Sequence, residues 1–125
     1  MEAFPGVTPL TVTINFASFV VGDADTEYTL HVSGFTGDCS NSFAYSNGMR
    51  FTTFDNDNDL WSGNCALLYP SGWWHNKCHN ANLNGRYFQP GEYSFTHTLA
   101  QGIHWHTCWY FHHSAKSSVM NVRLN

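Results

Sequence analysis

The spacing of hydrophobic residues predicts β-strands near both ends of the chain. Residues 10–21 alternate between apolar and polar side chains at period two, and residues 28–32 repeat that alternation after a turn-forming cluster. These stretches predict a β-hairpin, followed by a polar loop with two glycines over residues 33–42. Residues 102–109 and 118–124 are predicted to return to β-structure.

The middle of the chain has the composition of loops. From residue 55 to residue 91, glycine, asparagine, aspartate and serine recur every few residues, with neither a helical period nor a long alternating stretch. A region of this length without backbone ladders needs a metal ion, a disulfide or both to hold its shape. The predicted fold is therefore α+β, a mostly antiparallel β-sheet that carries a large loop-built subdomain. We expect a central sheet portion over about residues 16–54, the loop subdomain over 55–101 and returning strands over 102–125.

Composition narrows the class of partner. The chain has 125 residues, enough for one domain, and its 17% aromatic against 11% charged residues favour a folded domain over disorder. The net charge of −4 supplies no field for a phosphate backbone, which argues against nucleic acid. No apolar run reaches the roughly 20 residues of a membrane helix, and the first residues lack the basic start of a signal peptide.

A dense acidic tract opens the loop region. Asp55, Asp57 and Asp59 alternate with asparagines, and three carboxylates at this spacing repel one another unless a cation compensates them. Calcium accepts six to eight such oxygen ligands. An EF-hand does not fit, because its glycine and glutamate positions hold Leu60 and Ala66. A solvated acidic turn is the alternative interpretation.

Four cysteines suggest an oxidising compartment. Cys65 and Cys78 are close enough along the chain to close a small disulfide loop, which stabilises by about 3 kcal/mol in the chain-entropy model. A zinc site is the alternative, with Cys65, His75, Cys78 and His79 as its ligands. That spacing matches no common structural zinc site. Cys39 and Cys108 remain, and the sequence leaves open whether they pair, stay free or link two chains.

Longer strings within the chain are distinctive. They are YTLHVSGF at residues 28–35, NGMRFTTFD at 47–55, GWWHNKCH at 72–79 and NLNGRYF at 82–88. These strings resemble the fibrinogen C-terminal (fibrinogen-related) domain family, which includes ficolin- and tachylectin-like lectins. Their order and spacing hold from about Phe16 to the end of the chain.

The resemblance implies a calcium site in the acidic tract. Its ligands are the side-chain carboxylates of Asp57 and Asp59 and the backbone carbonyls of Trp61 and Gly63, with water completing the shell. Asp55 then lies outside the first shell.

The resemblance also implies a ligand site close to that ion. It includes a disulfide between Cys65 and Cys78 and a cis peptide between Lys77 and Cys78. The cis peptide turns the backbone amides of Cys78 and His79 toward a ligand, commonly the acetyl group of an N-acetylated sugar. Lectin members often have Tyr or Phe where this chain has Leu99. The candidate replacements for that aromatic wall are Tyr87, Phe95 and His97.

Two further positions separate this chain from fibrinogen itself. Fibrinogen's peptide-binding hole has an acidic residue where this chain has Ala100 and an arginine where it has Phe111. Binding of a clot-type knob peptide is therefore not expected.

The function implied is that of a secreted, extracellular, calcium-dependent recognition module and not of an enzyme. The predicted ligand is an acetylated glycan, as in innate-immune recognition. The alternatives are a protein-binding module without sugar binding and a fragment that binds calcium but no ligand. Complete family domains carry more chain before the position of Phe16, so a fragment or truncated product is expected. Its exposed strand edges favour association, which makes a homo-oligomer a candidate state.

Overall fold

The fold was analysed in a computed structural model that describes residues 1–4, 11–89, 100–109 and 114–124. The elements in chain order are β1 (Ile14–Val21), the 3₁₀ helix η1 (Ala24–Thr26), β2 (Leu30–Gly37), the 3₁₀ helix η2 (Ser42–Ser46), α1 (Cys65–Leu68), β3 (Ala81–Asn82), β4 (His104–Trp105) and α2 (His106–Trp109). The described strands form two antiparallel pairs, β1 with β2 and β3 with β4. This confirms the predicted α+β class with antiparallel sheet and long loop-built stretches.

The β1–β2 hairpin is the largest regular element. Its register runs from Ile14 opposite Gly37 to Val21 opposite Leu30. β2 is longer than predicted, because residues 33–37 pair with β1 although their composition is that of a loop. Gly34 explains the difference: it has φ +71°, and a side chain there would collide with Ala17 of β1. Cross-strand pairing therefore overrides local propensity at this point.

The end of the chain differs from the prediction in two places. β4 contains only two residues, and His106–Trp109 form a helical turn instead of continuing the strand. The His106 N–H still donates to the carbonyl of Asn80 in the register of β3 and β4, and the helical turn begins at this residue. Residues 118–124 form no strand, because no described segment exchanges backbone hydrogen bonds with them.

An aromatic core joins the hairpin to the loop-built region. Phe43 of η2 lies at its centre, with its ring stacked on Trp73 at 5.3 Å between centroids and edge-on to Trp105 at 6.0 Å. Trp74 is also buried and donates its indole N–H to the carbonyl of Tyr28 at 2.9 Å. The buried members of this core are Leu30, Val32, Phe43, Trp73, Trp74, Ala81 and Trp105. Burial of these rings, together with backbone hydrogen bonds such as that from the Leu30 N–H to the Met49 carbonyl, holds the loops on the hairpin.

A disulfide fastens the far end of the hairpin to the C-terminal elements. Cys39, just after β2, is bonded to Cys108 in α2, with Cα atoms 5.4 Å apart. This settles the pairing that the sequence left open. Among the described helices none has the length and apolar character to cross a membrane.

Candidate functional site

The acidic tract folds into a tight loop organised by Asp59. One carboxylate oxygen of Asp59 accepts the N–H of Trp61 at 2.9 Å, and the other accepts the N–H of Cys65 at 2.8 Å. The Asp57 carboxylate accepts the N–H of Asp59 at 3.2 Å. Carboxylate–amide bonds of this kind order the loop and direct it into α1.

Within the described part of the chain neither aspartate forms an ion pair, and Arg50, which reaches this loop, donates to the carbonyl of Asn58 at 3.5 Å. Burial raises the pKa of the Asp59 carboxyl above its ordinary value, and the nearby Asp57 raises it further, while hydrogen bonds from the N–H groups of Cys65 and Trp61 oppose the rise. The one ion pair found among described residues joins Lys116 to Glu2 and is remote in sequence from this loop. Two neighbouring acids without an ion-pair partner are an arrangement that a cation stabilises.

The predicted calcium ligands are all oxygen atoms, the ligand type that calcium prefers. Asp57, Asp59, Trp61 and Gly63 lie in one short loop, and Gly63 packs so closely on the Trp61 ring that a β-carbon there would come within 2.6 Å of it. No cluster of three His, Cys, Asp or Glu side chains suited to a metal occurs among the described residues. The implied set contains only two carboxylates and completes its shell with backbone carbonyls, which are hard oxygen ligands. Asp55 instead accepts a hydrogen bond from the Thr53 hydroxyl at 2.7 Å.

A disulfide connects the acidic loop to the predicted ligand segment. Cys65 and Cys78 are bonded, with Cα atoms 5.6 Å apart, and the Lys77–Cys78 peptide is cis, as the resemblance implied. The bond uses both sulfurs, so the alternative zinc site is wrong. The N–H of Leu60 also donates to the carbonyl of Asn76 at 2.9 Å, a second link between the two segments.

A cavity of about 390 Å³ opens beside this segment. Its described lining residues are Tyr45, Tyr69, Lys77, Cys78, His79, Asn80 and Ala100. The sequence predicted Lys77, Cys78 and His79. It missed Asn80 and the two tyrosines, Tyr45 and Tyr69, because isolated residues in segments of loop composition give no periodic signal. The edge of the Tyr69 ring lies against His79, 4.9 Å between centroids, and supplies an aromatic surface.

Two backbone donors are left open at the cavity. Within the described part of the chain, no residue accepts a hydrogen bond from the N–H of Cys78 or of His79. His79 is only 6% exposed, so an open donor there is costly unless a ligand or water accepts it. Cys78 and His79 both line the cavity, and an unpaired N–H near an aromatic ring has the chemistry to bind a carbonyl oxygen with an apolar neighbour.

Histidines form the wall behind the cavity. His79 Nε2 lies 3.1 Å from the carbonyl of Ala100, so this nitrogen carries the proton. His79 Nδ1 then accepts from His75 Nδ1–H at 3.2 Å, and the remaining His75 nitrogen, Nε2, faces the Ser71 hydroxyl at 3.4 Å. The ring of His104 packs on His79 at 4.9 Å.

Burial keeps these histidines neutral. It lowers the pKa of His75 to about 4 and that of His104 to about 4. Burial also lowers the pKa of His79 well below its ordinary value, and the nearby His104 and His75 lower it further. The three rings therefore serve near neutral pH as uncharged packing and hydrogen-bonding groups.

Among the described residues, the predicted ligand residue Tyr87 is not brought to this cavity. Tyr87 is absent from its described lining, and its ring instead lies 6.3 Å from that of Phe4. Arg86 forms a β-bridge with Gly102. The side chains that follow Arg86 alternate in direction, so Phe88 is buried and Tyr87 is half exposed. Phe95, His97 and Leu99 lie outside the described residues.

Fold and site together define a fibrinogen-type globular domain. The chain matches the family described as "Fibrinogen beta and gamma chains, C-terminal globular domain" over residues 2–125, and it belongs to that family. It is 40% identical to fibrinogen-like protein 1 of Bos taurus over 121 residues, which cover 88% of this chain and 38% of that protein. It is 37% identical to Techylectin-5A of Tachypleus tridentatus over 108 residues, 86% of this chain and 36% of the relative.

Solved structures give the same result. The fibrinogen-like globe domain of human ANGPTL2 matches with a TM-score of 0.83 and 34% identity, over 93% of this chain and 51% of that one. A lamprey fibrin D-dimer, solved with the peptide Gly-His-Arg-Pro-amide, matches with a TM-score of 0.77 and 32% identity, over 84% of this chain and 38% of that one. The chain thus spans well under two thirds of the length of these relatives.

Proposed function

We propose that this chain is a secreted, extracellular recognition module that binds acetylated glycans in a calcium-dependent way. The observation that carries the proposal is the pair of open N–H groups of Cys78 and His79, set beside the Tyr69 ring in a cavity. An acetyl group offers the matching chemistry, a carbonyl oxygen for the donors and a methyl group for the ring.

Calcium acts indirectly in this proposal. The ion, held by Asp57, Asp59 and the carbonyls of Trp61 and Gly63, would neutralise the acidic loop. That loop supports the ligand segment through the N–H of Leu60 and the Cys65–Cys78 bond. The sugar then binds to amides that the ion keeps in place, without touching the ion.

Two disulfides support an extracellular site of action, because such bonds persist in oxidising compartments. The similarity to Techylectin-5A supports the lectin interpretation. The described residues of this site do not form a recognised catalytic arrangement. Its sulfur is tied in a disulfide, and a histidine with a pKa of about 4, such as His75, is a weak general base near neutral pH.

The test is binding of the protein to an array of acetylated and non-acetylated sugars, with calcium and with EDTA. We expect N-acetylglucosamine to bind and glucosamine to bind far less, because only the former offers the acetyl carbonyl. EDTA should abolish binding. Equal retention of both sugars, or of neither at any calcium concentration, would show that the glycan proposal is wrong.

A protein ligand is the second candidate. A second cavity of about 540 Å³ lies next to the acidic loop, and its lining includes Phe54 at 69% exposure and Leu67 at 63%. Exposed apolar surface of this kind is typical of protein contacts. This candidate would be favoured if a protein ligand stays bound in the presence of acetylated sugars. Phe54→Ser should then weaken the binding of that ligand.

A further inference from the structure

Tyr45 lies at the ligand cavity although it belongs to η2, far along the chain from the ligand segment. Tyr45 is 37% exposed, and its hydroxyl donates to the carbonyl of Lys77 at 3.0 Å. Its own carbonyl accepts the side-chain amide of Asn76 at 2.9 Å. Two hydrogen bonds therefore join η2 to residues 76–78, the segment that ends at the open amides.

The 3₁₀ helix η2 is a fixed support. Phe43 is 2% exposed and stacks on Trp73 in the aromatic core. The Ser42 hydroxyl lies 2.9 Å from that of Thr107 in α2. A residue of η2 that bonds to the ligand segment thus connects that segment to the core of the domain.

The ligand segment is held on its other side by the acidic loop. Leu60 donates its N–H to Asn76, and Cys65 is bonded to Cys78. Asn76 therefore bonds both to Leu60 of the acidic loop and to Tyr45 of η2. The proposed cation would order the acidic loop and so strengthen the bond from Leu60 to Asn76. It would not affect the bond between Asn76 and Tyr45.

We propose that Tyr45 is a positioning residue of the ligand site, which fixes the Lys77 carbonyl independently of calcium while its ring forms one wall of the cavity. This inference rests on the proposed function. Because the two supports act on one segment, each carries more of the positioning when the other is removed.

The test compares Tyr45→Phe with wild type in titrations of N-acetylglucosamine, in saturating calcium and at a low calcium concentration that still gives measurable binding. Loss of one hydrogen bond should weaken binding about threefold to tenfold in saturating calcium. The loss should be larger at low calcium, while calcium affinity stays unchanged. Tyr28→Phe is the matched control, since Tyr28 is exposed and its hydroxyl bonds to no described residue.

Hydrogen exchange gives a readout that needs no sugar. The Leu60 amide is protected by its bond to Asn76, so loosening of the ligand segment should speed its exchange about threefold to tenfold in Tyr45→Phe and not in Tyr28→Phe. Unchanged exchange at Leu60 would overturn the role of Tyr45. Failure of wild type to bind the sugar would instead overturn the proposed function, and the exchange rates would still decide on Tyr45.

Discussion

At the scale of single residues, Asp57 and Asp59 have different tasks in the same loop. Asp59 binds two backbone N–H groups through both oxygens, whereas Asp57 accepts one N–H. Asp55 bonds to Thr53 and lies outside the implied calcium shell. The sequence presents these three acids as equivalent, and only the hydrogen bonds distinguish them.

Alanine variants of the three aspartates test this difference. Asp57→Ala and Asp59→Ala should each abolish the calcium-dependent rise in melting temperature, because each removes a charged ligand. Asp59→Ala should in addition lower the melting temperature without calcium, since charge-assisted bonds of this kind contribute about 1.5–3 kcal/mol. Asp55→Ala should keep most of the calcium effect. Thermal scans with calcium and with EDTA measure both quantities, and an equal loss in all three variants would contradict the assigned ligands.

At the scale of elements, the hairpin depends on close approach between its strands. Gly34 of β2 has φ +71° and no room for a side chain against Ala17. Gly48 also has a positive φ, +80°, but nothing lies within 4 Å of a side chain added there. A side chain at Gly48 would therefore meet backbone strain alone, whereas a side chain at Gly34 would meet both backbone strain and a steric collision.

Alanine at each position measures the two effects. Gly48→Ala should cost about 1 kcal/mol, the usual penalty of a left-handed conformation. Gly34→Ala should cost at least about 1–3 kcal/mol more, because the β-carbon also displaces Ala17. Urea unfolding gives both free energies. Equal destabilisation by the two variants would mean that β1 and β2 are not packed as described.

At the scale of the whole molecule, the buried histidines make stability depend on pH. His75 and His104 have folded pKa values of about 4, and burial lowers that of His79 as well. Histidines in the unfolded chain have pKa values of about 6.5. Between about pH 4 and pH 6.5 the unfolded chain therefore binds more protons than the folded chain. Protonation of His79 at Nδ1 would also set two N–H groups against each other at 3.2 Å, because His75 Nδ1 already carries a proton.

The free energy of unfolding should be highest above about pH 6.5 and fall toward pH 4. Each buried histidine should contribute a slope of about 1.4 kcal/mol per pH unit within this window. Urea unfolding in EDTA from pH 7.5 to 4.5 measures the slope without a contribution from calcium. His104→Gln should reduce it, whereas His31→Gln on the exposed face of β2 serves as the control. A flat profile would show that these rings are accessible to solvent in the folded protein.

By itself the sequence predicted the fold class, the hairpin and the loop-built middle, because alternating side chains and turn-forming residues act over a few neighbours. Its resemblance to known domains implied the Cys65–Cys78 bond and the Lys77–Cys78 cis peptide, both of which the structure contains. Only tertiary structure decided the rest. The pairing of Cys39 with Cys108 joins positions 69 residues apart, and Tyr45 and Tyr69 reach the cavity through the packing of separate elements. Contacts over such distances arise when buried aromatic rings bring remote loops together, and local spacing does not encode them.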